Sequence, residues 1–186
     1  MQEERLFTRQ LFSVAAADRR ARLSWEIAQL RSPVTDEFIE SLVRRYMYYF
    51  PAVSFDRAGI QGGIQEVYHI QSRHDSVWGD EYVDVDEAFL RFEVAVPFEG
   101  DGDVLLLCPT IFYREAEGLE ARLSSKRICL HYEIRKAEKR ANLAEHYKDD
   151  LAMLEKLIMN LKHDVDIYNG LLPRIIRDMR TDLAKA

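Results

Sequence analysis

Cys129, His131 and Glu133 stand at alternate positions of one short segment of this 186-residue chain. On an extended backbone, alternate side chains lie about 6.6 Å apart on one face. A thiol, an imidazole and a carboxylate in line could act as a nucleophile with its base, or as metal ligands. The residues between and around them, Ile128, Leu130, Tyr132 and Ile134, fall on the other face. The same spacing therefore fits the plain polar side of a half-buried strand, and no second ligand pair stands at a standard zinc spacing. His69, His74 and Asp75 form a second group, but five residues is not the i, i+4 separation of two helical ligands. Asp80, Glu81, Asp84, Asp86 and Glu87 are dense enough to gather Mg²⁺. They lack the glycine and terminal glutamate of an EF-hand loop and read as a solvated acidic loop. On these grounds no catalytic residue, metal ligand or cofactor is expected. The alternative is a small metal-dependent enzyme that uses the acidic and histidine segment 69–87.

Other activities are set aside because their motifs are missing. The chain has no phosphate-binding G-x-x-x-x-G-K-[ST] loop, no G-x-G-x-x-G and no G-x-S-x-G elbow. Gly62-Gly63 alone is too short to cradle phosphates. No Glu-x-Lys occurs, so the acid-plus-lysine strand of many metal-dependent nucleases is absent.

The net charge of −6 is unevenly spread. Residues 75–120 hold 13 of the 32 acidic side chains against only Arg91 and Arg114, whereas 121–136 are basic and the remainder is balanced. An acidic middle repels phosphate backbones, so direct nucleic-acid binding is not expected. It suits a basic partner or a divalent cation better. Arg174, Arg177 and Arg180 share a helix flank, but Asp178 and Asp182 accompany them. The longest apolar run is Val104–Cys108, too short for a membrane span, and Met1–Arg5 lacks a signal-peptide profile. Two cysteines are too few for a disulfide framework, and a cytoplasmic location is expected.

A hydrophobic share of 47% provides a packed core to position these groups. Ala15, Ala16, Ala17, Leu23, Ile27 and Leu30 predict a first helix ended by Ser32-Pro33. Thr35 can cap a second, with Asp36 and Glu37 in its first turn and Phe38, Leu42, Val43, Tyr46 and Phe50 at helical spacing before Pro51. Glu66–Arg73 reads as a short strand and Leu90–Val96 as a half-buried one. After a turn at Glu99–Asp103, Val104–Phe112 reads as an apolar strand with an edge or bulge at Pro109. Arg127–Ile134 completes an antiparallel sheet packed on one face.

The C-terminal fifty residues carry a heptad seam: Tyr147, Leu151, Leu154, Ile158, Leu161, Val165, Tyr168, Leu172, Ile175 and Met179. Leu143, Leu157, Ile167 and Leu171 widen it. A helix from Glu138 to Tyr168 is expected, with a break near Asn169–Pro173 that yields a helical hairpin or a kinked coiled coil. The expected fold is α+β, with residues 1–136 as a domain and 137–186 as a long helical segment packed on it or projecting. The seam residues are the expected interface of a homodimer.

The stretch Phe92–Asp101, followed by Pro109–Phe112, resembles the β-hairpin of a poorly characterised group of bacterial proteins. Asp164–Pro173 and the arginine-bearing helix after it resemble the same group's helix-break-helix. In that group the module precedes a restriction-nuclease-like domain of the PD-(D/E)XK type. The resemblance covers roughly residues 60–180, and this chain ends at Ala186 without a nuclease motif. What it implies is a non-catalytic binding, regulatory and oligomerisation module. Such a module could belong to a bacterial nuclease-type or antiviral defence system and act with a separate effector protein.

Overall fold

A computed structural model describes residues 4–30, 35–75, 81–113, 116, 118–138 and 142–183. Three helices pack on one face of an antiparallel sheet, an α+β arrangement. Local sequence explains the first two helices. Helix α1 (Phe12–Ala28) buries Phe12, Ala15, Ala16, Leu23 and Ile27. Helix α2 (Asp36–Tyr46) begins where the Thr35 hydroxyl accepts the Phe38 amide at 3.3 Å, leaving Asp36 and Glu37 against the positive end of the dipole. It ends at Tyr46 and stops short of Phe50, with Met47 already extended.

The sheet is organised by one strand. After the short β1 (Glu4–Arg5) and β2 (Ala52–Val53), β3 (Gly59–Asp75) pairs along β4 (Glu81–Glu99). β4 pairs on its other side with β6 (Arg127–Arg135), which pairs with β5 (Ala121–Ser124) and through it with β1. Leu90, Phe92, Val94 and Val96 of β4, with Ile128 and Leu130 of β6, supply the core face. Strand β3 is twice the length expected from Glu66–Arg73, because residues with no apolar alternation pair there too.

Val104–Phe112 is not a strand. Asp103–Leu106 forms a 3-10 turn, begun where the Asp101 side chain accepts the Asp103 amide at 3.1 Å. Its three consecutive apolar residues Val104, Leu105 and Leu106 are all buried. The N-terminal segment supplies the donors for this stretch: Phe7, Arg9 and Phe12 amides reach the carbonyls of Leu105, Leu106 and Cys108. A continuous apolar run buried on all sides looks alike in sequence whether it is strand or turn.

The second correction concerns the C-terminus. Helix α3 (Lys148–Leu183) starts ten residues later than Glu138 and runs unbroken through Asn169–Pro173, so there is no helical hairpin. Pro173 forfeits one helix bond, a cost of about 3 kcal/mol inside a helix. Leu172 and Ile176 on either side are fully packed, and their burial outweighs it. The seam is filled from within the chain. Leu154, Ile158, Leu161, Val165, Tyr168 and Leu172 are buried, and Tyr147, Leu151 and Met179 pack at the rim of the same core, with Ile175 half-buried. The segment after residue 136 thus packs on the body, and the apolar stripe that suggested a dimer interface has a use inside the monomer. Of the residues widening the seam, Leu157 is buried while Ile167 and Leu171 face solvent.

Candidate binding surface

Strand register assembles the face opposite the helices. Ala95, Glu93, Arg91 and Phe89 of β4 stand opposite Cys129, His131, Glu133 and Arg135 of β6. Cys129, His131 and Glu133 therefore do share a face, and that face is the polar one, although Cys129 itself is buried. Each has a partner from a neighbouring strand. Arg91 donates to Glu133 through Nε at 2.8 Å and Nη2 at 2.7 Å, and His69 Nε2 lies 2.6 Å from the other Glu133 oxygen. The Arg91 guanidinium, helped by His69, holds the Glu133 carboxyl below the usual carboxylate range. The Cys129 thiol donates to Glu93 at 3.4 Å, and His131 Nδ1 lies 3.8 Å from the second Glu93 oxygen. Cys129 and His131 thus meet on one carboxylate, that of Glu93.

The acidic group is rearranged by the same strands. Asp80 lies outside the described residues. Glu81, Asp84, Asp86 and Glu87 lie on β4, opposite Asp75, Ser72, Ile70 and His69 of β3, and not in a loop. The run is thus drawn out along an extended strand and is not gathered in one loop. His69 and His74, five residues apart on β3, pair with Glu87 and Tyr82 of β4. Among the described residues no group of three or more His, Cys, Asp or Glu side chains is placed to hold a metal ion. On α3, Arg174 Nε sits 3.6 Å from Asp178, a solvated pair.

Sequence reasoning missed Arg91 and Glu93 as the groups that engage the three candidates. Their alternation within β4 was visible, but the register that aligns them with β6 was not. It also missed the discontinuity in β3. Gln61 faces Glu93 and Gln65 faces Arg91, so Gly62, Gly63 and Ile64 together oppose Phe92 alone. Gly62 (φ 69°) and Gly63 (φ 83°) take left-handed conformations that make this bulge possible.

Beyond the bulge lies the feature with most exposed binding chemistry. β6 ends where Arg135 faces Phe89, but β3 and β4 continue as a two-stranded ribbon of residues 68–75 and 81–88. Glu66 is held by Lys136 at 2.7 Å and by the Tyr68 hydroxyl at 2.6 Å, which anchors the ribbon base. Further out, Tyr68 is 65% and Ile70 is 72% exposed on the face that, nearer the body, packs under the helices. Among the described residues the outer edge of β3 pairs with no other strand. No helix of the described residues is long and apolar enough to cross a membrane. Set against known protein families, curated proteins and solved structures, the chain finds no match.

Proposed function

We propose that this protein is a non-catalytic binding module whose docking element is the β3–β4 ribbon. The observation that carries the reading is the edge of β3 past its bulge, with which no described strand pairs. Natural sheets blunt such edges with lysine, proline, a bulge or a covering element. Here the bulge lies at the body end, and residues 65–75 contain neither lysine nor proline. A free edge beside exposed Tyr68 and Ile70 suits addition of a partner strand.

Charge selects the partner. Across residues 66–88 the chain places Glu66, Asp75, Asp80, Glu81, Asp84, Asp86 and Glu87 against Arg73 alone. A second copy would bring the same negative field, so the occupant is a basic, extended segment of a different protein. A separate effector of a bacterial nuclease-type or defence system, the context implied by the resemblance, would be a partner of this kind. Self-association is not required by the reading, since the α3 seam is already packed.

The test uses synthetic octapeptides of alternating lysine and valine, with glutamate–valine peptides as control, in fluorescence anisotropy. The lysine peptide should bind at least tenfold more tightly, lose affinity as salt is raised, and lose it again in the Tyr68→Lys/Ile70→Lys protein. Equal binding of both peptides, or none, would overturn the proposal, as would loss of the lysine peptide to a ribbon-paired homodimer.

A further inference from the structure

A cleft between α1 and the turn after β4 carries an independent inference. Its volume is about 510 Å³, within the range of small-molecule sites. Helix α1 contributes Arg19 and Arg22 from successive turns, and the turn after β4 contributes Asp101 and Asp103. Tyr48 and Tyr49 complete the lining between them. Of the other charges of the cleft, Arg9 pairs with Glu4 at 2.9 Å, while Asp18 accepts only from the neutral Gln10 amide at 3.4 Å. Arg19, Arg22, Asp101 and Asp103 also line it, Asp101 accepting the Asp103 amide at 3.1 Å. None of them forms an ion pair with another described residue, although opposite charges line the same space.

We propose that this cleft binds a small zwitterion, a molecule with an ammonium and a carboxylate group such as an amino acid or a short peptide. A simple anion would satisfy the arginines but meet two carboxylates, and a simple cation would meet two guanidiniums. A ligand with both charges satisfies both sides at once. Arg19 is held in place for this, with its guanidinium 4.1 Å from the centre of the Tyr48 ring. Tyr48 in turn packs edge-on against the buried Tyr168 at 5.3 Å and at a tilt against Phe12 at 5.1 Å. A carboxylate meets this fixed guanidinium without an ordering cost. An extended chain gains about 3.3 Å per residue, so a dipeptide holds its terminal charges farther apart than a single amino acid does. The two sources share one chemistry and differ in reach.

Titration of ¹⁵N-labelled protein reads binding of either. The probes are leucine and alanyl-leucine, each compared with its N-acetyl and its C-amide form. At about 10 mM, tenfold above a Kd of about 1 mM, the free zwitterion should shift the amides of Arg19, Arg22, Tyr48, Tyr49, Asp101 and Asp103. Either blocked form should bind at least tenfold more weakly. Leucine binding the more tightly assigns an amino acid, and alanyl-leucine a peptide; both results support the proposal. Arg22→Gln and Asp103→Asn change exposed side chains, so each should keep the parent Tm while losing tenfold in affinity. The proposal is wrong if neither zwitterion shifts these amides. It is also wrong if a blocked form binds as well as the free one, or if both variants bind like the parent.

Discussion

The two ends of the β3–β4 hairpin are built from the same two strands and live in different surroundings. At the body end, residues 89–97 of β4 pair with β6 on one side and, over most of that length, with β3 on the other, while Phe92, Val94 and Val96 are buried beneath the helices. At the far end, residues 81–88 pair with β3 alone. A two-stranded hairpin in water is marginal by itself, and a third strand or a covering helix makes it firm. The ribbon therefore holds its geometry by continuity with the body, and a partner strand would supply what the third strand supplies elsewhere. Folding energy is concentrated at one end and unsatisfied binding potential at the other.

The sharpest way to break that comparison is to truncate one side chain at each end. Leu161→Ala removes a fully buried side chain from the core over the sheet and should cost about 2–5 kcal/mol. Ile70→Ala on the ribbon should stay within about 0.5 kcal/mol of the parent. Urea unfolding measures both, and comparable losses would mean that the ribbon is part of the core. Gly63→Val probes the junction between the ends. Nothing lies within 4 Å of an added Cβ there, so only the left-handed backbone opposes it, at roughly 1–2 kcal/mol. A variant as stable as the parent would show the bulge to be dispensable. Thr35→Ala removes the cap of α2, far from both ends, and should cost about 1 kcal/mol without altering peptide binding by the ribbon. The smallest effect is on the polar face. Arg91 holds the Glu133 carboxyl low, so the pair stabilises the fold above the ordinary carboxylate range. That contribution disappears as pH falls through the lowered value. Arg91→Ala should flatten the acid limb of stability as pH falls through and below the ordinary carboxylate range. An unchanged slope would mean that the contact does not persist in solution.

How far the fold was legible depends on how local its causes are. Thr35, Asp36 and Glu37 announce α2 because a cap and a dipole act within one turn. The seam from Leu154 to Leu172 announces α3 because its period is set by the helix alone. Val104–Leu106 could not be read in this way, since its backbone partners are residues 7–12, about a hundred positions earlier. Pro173 misled for a related reason: its local cost is plain, whereas the packing of Leu172 and Ile176 that offsets it belongs to the tertiary structure. At the polar face, the alternation of Cys129, His131 and Glu133 was visible in the chain. Their engagement by Glu93, Arg91 and His69 depends on register, which no single strand encodes.

Asn169, one turn before Pro173, has a consequence for the order in which the chain becomes rigid. Its side-chain carbonyl accepts the Tyr48 amide at 2.9 Å, and its side-chain amide donates to the Tyr48 carbonyl at 2.8 Å. One side chain thus imitates a β-bridge to a segment that belongs to no regular element. The backbone amide of Tyr48 is shielded by a residue 121 positions later in the sequence. Its hydrogen exchange should accordingly follow the opening of α3 and ignore the fraying of the adjacent α2. Until the last helix is in place, the loop after α2, and with it the aromatic floor under Arg19, has no fixed shape.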